Sequence, residues 1–380
     1  MGAFKKLETH LLERTEELQR RKEQGAKIVG FIPGFSPEEL IHASGAIPLG
    51  LIRGGDSNAI GTSATYMTRF VDTFCRAQVG YRMSGEEPLY QLPDLVIIPA
   101  VDDNFRALSD VLVQVSGVEI FRLGTPHEKS DMAIDYYTEM LVLLKAKLEE
   151  IVGKEIENSK LRESIDQYNK MRNVLNDLSM TRKYAGPPIT GKEFAIINHA
   201  SFVGDITTVT RLSESFLDEL KNKKGQEGKP RILLIASTLA MGDYKVIDLL
   251  EEAGADVVFE ETCEGTRQYW EAVEPNGDLI AALADKYLRR RTPPPPFFHP
   301  PENRYEFMVE KIKEFKIDGI VWYELLYRES YETELFHFSR KLERDMDIPL
   351  VVLQSEYSAS DDASFKTRIE AFIESVKGRK

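Results

Sequence analysis

Apolar runs and amphipathic stretches alternate along this chain in an order that occurs twice. Phe4 to Lys27, "FKKLETHLLERTEELQRRKEQGAK", carries apolar residues at helical spacing and ends near Gly25, which predicts a helix with a glycine stop. "KIVGFIP" follows as a short, almost wholly apolar run, the signature of a strand covered on both faces. Ser36-Pro37-Glu38-Glu39 then reads as a helix start. Ser36 is the N-cap, Pro37 sits at the first helical position, and Glu39 closes a capping box. That helix is expected to run to Gly45, before the strand "AIPLGLI". A helix over Thr65–Met83, the strand "DLVIIP", a helix after Asp103 and the strand "VEIFRL" complete the first set. Residues 130–183 are helical in pattern and "YAGPPITG" interrupts them. Helical spacing then resumes up to Lys224, before the loop "KNKKGQEGKP".

Beyond that loop the first order returns. "RILLIAS", the helix "KVIDLLEEAG" and "ADVVFEE" repeat strand, helix and strand; "DGIVWY", a helix and "IPLVVLQSE" repeat the second pair. The expected fold is therefore α/β, with two doubly wound parallel, Rossmann-like sheets joined by helices. The expected divisions are 1–150, a helical connection over 151–225, and 226–380. In such sheets ligands sit beyond the carboxyl ends of the strands, so a cleft between the halves is the default site.

Length and charge narrow the function. With 380 residues, the chain is large enough for two cores. Its net charge of −13 argues against a nucleic-acid partner, which would need a basic surface. No apolar run reaches membrane-spanning length and the start is no signal peptide, so a cytoplasmic protein is expected, with no membrane partner. Two cysteines, Cys75 and Cys263, are too few for a disulfide framework or a four-thiolate site.

No dinucleotide fingerprint, P-loop or H-E-x-x-H is present. Asp102 and Asp103, side by side after "IIPAV", have two readings: metal or acid–base ligands, or an N-cap with a first-turn charge. Cys75 and Cys263 read either as buried small residues or as thiols tuned by Arg76 and Arg267. "RRRTPPPPFFHPP" reads as a rigid strap or as a wall carrying Phe297, Phe298 and His299, with Arg289–Arg291 attracting phosphates. Glu324, Tyr327 and Arg328 end a strand and face the same mouth. His42 reads as a packing residue.

Several ordered blocks resemble the 2-hydroxyacyl-CoA dehydratase and benzoyl-CoA reductase family: "FIPGFSPEELIHASGAIPLGLIRGGD", "PDLVIIPAVDDNFRALSD", "EETCEGTR" and "FKIDGIVWYELLYRESYETELFHFSRKLERDMDIPLVVLQSEY". The resemblance implies a two-domain fold and a [4Fe–4S] cluster held by three cysteines in the cleft. It also implies a CoA thioester as substrate, a homologous partner subunit, and a separate ATP-driven activator that supplies a low-potential electron to form a ketyl radical. In this sequence the first family cysteine falls on Cys75. The second, in a Cys-Asp pair, falls on Asp102, with Asp103 as the retained aspartate. The third falls on Arg328. Ser36, Glu39 and Asp103 are thus the catalytic candidates, and Cys75, Asp102, Arg328, Cys263 and Arg267 the cofactor-site candidates, with Cys75 as the metal ligand. A guanidinium cannot replace a thiolate on iron, and a carboxylate does so rarely. The expectation is an Asp102–Arg328 charge pair in a subunit lacking a conventional cluster. The alternatives are a cluster on Cys75 plus Asp102 or Cys263, and a non-catalytic binding or assembly protein on the same fold.

Overall fold

A computed structural model describes residues 2–298, 302–358 and 360–379; His299 lies outside them. Strands β1 (Ile28–Phe31), β2 (Ile47–Gly50), β3 (Leu95–Ala100) and β4 (Glu119–Gly124) form one parallel sheet in the order β2-β1-β3-β4. Strands β5 (Arg231–Ala236), β6 (Asp256–Glu261), β7 (Gly319–Leu325) and β8 (Leu350–Ser355) form a second with the equivalent order, β6-β5-β7-β8. β1, β5 and β7 are buried along their whole length, as their unbroken apolar sequences require. Strand order reverses between β1 and β3 and again between β5 and β7, which places two ligand-binding crevices at the carboxyl ends of these pairs.

The helices Asn158–Thr181, Gly191–Val203 and Ile206–Leu220 pack with the N-terminal helix Ala3–Glu23 around Leu7, Leu175, Leu178, Ile197 and Val209, a core separate from the sheets. The halves meet through their strand-end loops. Met241 N–H donates to the Ile52 carbonyl at 2.8 Å and Gly54 N–H to the Met241 carbonyl at 3.2 Å. A Cβ at Gly54 would stand 2.5 Å from Ala240 Cβ, so only glycine permits this approach.

Two local expectations fail. Thr65–Met83 is not one helix: the chain forms Ser57–Ser63 and Thr73–Ser84, capped by Asp56 and Asp72, with a loop between. Each aspartate offers a side-chain acceptor to the next helix start, and those caps override the continuous amphipathic pattern. The Ser36 capping box is also absent. The helix is Glu38–Ala43 with Pro37 at its N-cap and no side-chain cap, and Ser36 Oγ donates to the Ile32 carbonyl at 2.9 Å. Glu39 is drawn instead to Arg172, whose charge outbids a backbone N–H.

Candidate functional site

The loop after β3 puts Asp102 in extended backbone at the start of the helix Asp103–Val115, where its Oδ1 accepts the Phe105 N–H at 3.0 Å. Its other oxygen lies 2.9 Å from the Arg328 guanidinium, which enters from the loop after β7. Asp102 is thus a helix cap through one oxygen and, through the other, the partner of Arg328 that the resemblance led us to expect. Arg328 also stacks on Phe105, 4.7 Å from the ring centre, and approaches Asp72 at 3.8 Å. Asp72 caps Thr73–Ser84 by accepting the Cys75 N–H at 2.9 Å, while its own N–H donates to Asn104 at 2.8 Å. Asn104 in turn donates to the Tyr327 carbonyl at 3.1 Å, so the first half's caps are bonded directly to the loop that carries Arg328.

Electrostatics follow from this packing. Burial pushes the Asp72 carboxyl up, against the pull of Arg328. Burial, followed by Asp72, holds the Cys75 thiol well above its usual range, so it stays protonated. Burial also opposes the Arg328 cation, yet Asp102 and Asp72 outweigh it and bind the proton more tightly than in water.

The second half supplies the facing wall. Glu261, at the end of β6, holds Arg267 at 2.7 Å and Arg304 at 2.5 Å; Arg304 continues to Glu334 at 2.6 Å. Arg267 also donates to the Tyr331 hydroxyl and to the Ala236 carbonyl at 3.2 Å. Beside it Glu264 accepts the Leu239 N–H at 3.1 Å, and burial pushes its carboxyl up to about 7. Cys263 is half-buried against the Pro33 carbonyl, and burial, then Glu264, raises its thiol.

Glu38 and Glu39 form a third cluster deeper in. Glu39 holds Arg172 at 2.5 Å and accepts the Tyr287 hydroxyl at 2.9 Å, whereas Glu38 accepts the Gln268 amide. Burial and the charge of Glu39 push Glu38 up to about 8; for Glu39 burial is outweighed by Arg172 and Lys286, and its carboxyl falls below the usual range. One carboxyl therefore keeps a proton at neutral pH beside one that does not, the separation that acid–base chemistry requires.

The other sequence candidates are not drawn in. Asp103 is exposed and pairs with Arg106 at 3.3 Å. Arg289 and Arg290 face surface carboxylates, Asp131 at 2.7 Å and Asp285 at 2.7 Å, which leaves only Arg291 of that trio turned inward. His42 packs between Ser164 and Tyr168. Asp72, Asn104, Glu264 and Arg304 escaped the sequence reading. Asp72 carried a usable signal, an aspartate three residues before Cys75 at a helix start; the others became visible only through tertiary contact.

Pro33, Phe35, Phe74, Phe105, Cys263 and Glu264 line the crevice between these walls. It encloses a cavity of about 20 Å³, room for about one water.

Residues 33–376 match the family model described as 2-hydroxyglutaryl-CoA dehydratase, D-component. The chain belongs to this family. It is 26% identical over 358 residues to the "Putative dehydratase subunit YjiM" of Escherichia coli strain K12, covering 93% of this chain and 92% of that one. It is 23% identical over 364 residues to the (R)-phenyllactyl-CoA dehydratase beta subunit of Clostridium sporogenes, 94% of each chain. With a benzoyl-CoA reductase subunit of Thauera aromatica it shares 21% over 300 residues, 78% of this chain and 77% of the relative. These matches span both sheets, and the relatives are named as subunits of larger enzymes.

The donors at the crevice do not fit a three-thiolate cluster. Where the family resemblance puts the third thiolate, this chain holds a guanidinium bonded to Asp102, and burial raises the thiols of both Cys75 and Cys263. Among the described residues, no three His, Cys, Asp or Glu side chains are grouped to hold a metal ion.

Proposed function

We propose that this chain is the subunit of a 2-hydroxyacyl-CoA dehydratase or benzoyl-CoA reductase-like system that works without a conventional cluster of its own, beside a homologous chain carrying the thiolates. The observation that supports this is the Arg328–Asp102 pair at 2.9 Å, seated where strand order reverses in both halves. A cation there blocks iron and pairs with Asp102 while offsetting part of the charge at Asp72. In this reading the substrate is an acyl-CoA thioester, and low-potential one-electron chemistry reaches it through the partner and an ATP-driven activator in the cytoplasm. Residues 1–150 and 226–380 then act as the two crevice-forming domains, with 151–225 joining them. This chain's own contribution is to orient and to hold protons: Glu264 and Glu38 both keep a proton near neutral pH, close to the crevice and behind it.

Iron and acid-labile sulfide analysis of the anaerobically purified chain tests the proposal. Less than one iron per chain is expected; about four, the content of one cubane cluster, would sink it. Co-purification from the native source should recover a homologous chain with a full cysteine set, and a stable homodimer without one counts against the partner.

A further inference from the structure

We infer that residues 64–71 form a lid over the Arg328 end of the crevice, latched shut by one carboxylate of the second half, Glu356. The crevice has room for about one water, so an acyl group can enter only if a segment of its wall moves. What the opening admits rests on the function proposed above. The opening itself is measured on this chain alone, whatever its iron content.

The helices Ser57–Ser63 and Thr73–Ser84 bracket the segment, and Asp72 anchors its far end. Between them Tyr66, Arg69 and Phe70 are exposed, while Met67 and Val71 reach the core. The segment crosses to the second half at the loops after β7 and β8. Arg69 Nη2 donates to the Tyr327 hydroxyl at 3.4 Å, and Phe70 meets the Tyr327 ring edge-on at 5.7 Å between centres. That hydroxyl donates to Glu356 at 3.3 Å. Glu356 also pairs with Arg69 at 3.7 Å and Arg76 at 3.5 Å, and Arg76 donates back to the Arg69 carbonyl at 3.4 Å. Each of these polar contacts lies at the long edge of hydrogen bonding, where the usual N–H···O separation is about 2.9 Å. Such contacts around an exposed arginine open readily, whereas the shorter bonds that fix Asp72 and Arg328 do not.

The second half's side of the latch is strained. Tyr327 has φ +71° and Tyr357, next to Glu356, has φ +60°, the left-handed region that bulky side chains avoid. Among the described residues the other non-glycines with positive φ, Lys316 and Asp347, follow helix ends, where this conformation is common. Tyr357 also keeps a buried hydroxyl without a partner, 2.5 Å from where a Cβ on Gly54 would stand. Strain of this kind gathers at clamps and switches. Arg76 makes the latch depend on Glu356. It is buried, its only carboxylate among the described residues is Glu356, and its Nε has no partner. Without Glu356 the cation is stranded under the closed segment, and lifting the segment returns it to water.

Cys75 reports the opening. It is wholly buried on the helix that follows the segment, its N–H bonded to Asp72. Iodoacetamide, an uncharged reagent, alkylates it only when uncovered: the sulfur bonds to carbon, iodide leaves and the thiol proton passes to water. In the unaltered chain the Cys75 rate, resolved from Cys263 by peptide mass, should stay nearly constant with urea below the unfolding transition, because lifting a short segment exposes little surface. Glu356→Gln should raise that urea-independent rate about tenfold. Tyr327→Phe, which keeps the ring against Phe70, should raise it about threefold. Salt raised from about 0.05 M to about 1 M should speed the unaltered chain but not Glu356→Gln, since screening acts on the pairs that variant has lost. Glu214→Gln, which removes a surface pair with Lys170 far from the crevice, should change nothing. A Cys75 rate that follows global unfolding with urea, or one that Glu356→Gln leaves unchanged or Glu214→Gln raises equally, would overturn the lid.

Discussion

Replacing Arg328 with methionine removes the cation between two buried carboxylates while keeping most of the volume. At 2.9 Å the attraction to Asp102 is about 6 kcal/mol at an effective dielectric constant of about 20, opposed by a desolvation cost of several kcal/mol per ion. What matters is what remains: Asp102 and Asp72 are left with no counter-charge between them, and a buried charge left unpaired typically costs about 3–5 kcal/mol. Arg328→Met should therefore destabilise by about that amount at pH 8, read as a lowered urea midpoint at unchanged slope. The sign with pH is fixed. In the variant the Asp72 carboxyl, already pushed up by burial, loses the pull of Arg328 and should lie further above its unfolded value, so the folded state takes up protons as pH falls and the deficit shrinks. Asp102→Asn should cost less, about 1–2 kcal/mol, because asparagine still caps the helix and Asp72 still faces Arg328. Combining the two changes should cost less than their sum, the mark of a coupled pair. A deficit below about 0.5 kcal/mol for Arg328→Met, the level of an ordinary surface change, or one equal at pH 5 and pH 8, would refute the reasoning.

Glu264, with a folded pKa of about 7 against an ordinary 4.5, stabilises the fold most when protonated in both states and loses that contribution as pH rises from about 4.5 through 7. Glu264→Gln should remove about 3 kcal/mol of pH dependence in that window; urea titrations at pH 5 and pH 8 that slope alike in both proteins would contradict it. Glu39→Gln strands Arg172 in the core and should cost about 3–5 kcal/mol by urea denaturation, and an unchanged midpoint would place the Arg172 charge elsewhere. Asp102→Cys with Arg328→Cys restores thiols to both substituted positions. The double variant, reconstituted anaerobically with iron and sulfide, should show a broad brown absorbance and the unaltered chain, treated alike, should not; equal spectra would break the correspondence of these positions.

The parallel sheets were legible because most of the strands are short apolar runs followed by an amphipathic stretch, and because the order occurs twice. β1 and β5 are buried on every residue, so their composition had no polar face to blur it. The Asp102–Arg328 meeting was legible for a different reason: each residue stands alone at a strand end where the family resemblance demands sulfur. The Ser36 capping box misled because its spacing is correct and only tertiary contact assigns Glu39 to Arg172, 133 positions away in the sequence. Asp103 misled for the opposite reason. Adjacent residues at a helix start point in different directions, so a pair read as a unit separates into one buried group and one exposed group.

Beside an apolar core that is continuous across the halves, four polar contacts join them at the crevice. Gln268 meets Glu38, Tyr287 meets Glu39, Arg291 meets Gly34 and Arg328 meets Asp102, each pairing a group from the second half with one from the first. An apolar seam would bind the halves as tightly and tolerate sliding, because dispersion has little direction. Directional polar pairs at four points do not tolerate it, since a shift of an ångström or two leaves a buried ion bare at a cost of several kcal/mol. The seam therefore fixes the position of one crevice wall against the other more than it adds net stability. That precision is what a site needs when its reacting groups come from two sheets. Arg291 stands out in this seam: Arg267, Arg304 and Arg328 each face a carboxylate, whereas Arg291 donates to the Gly34 carbonyl.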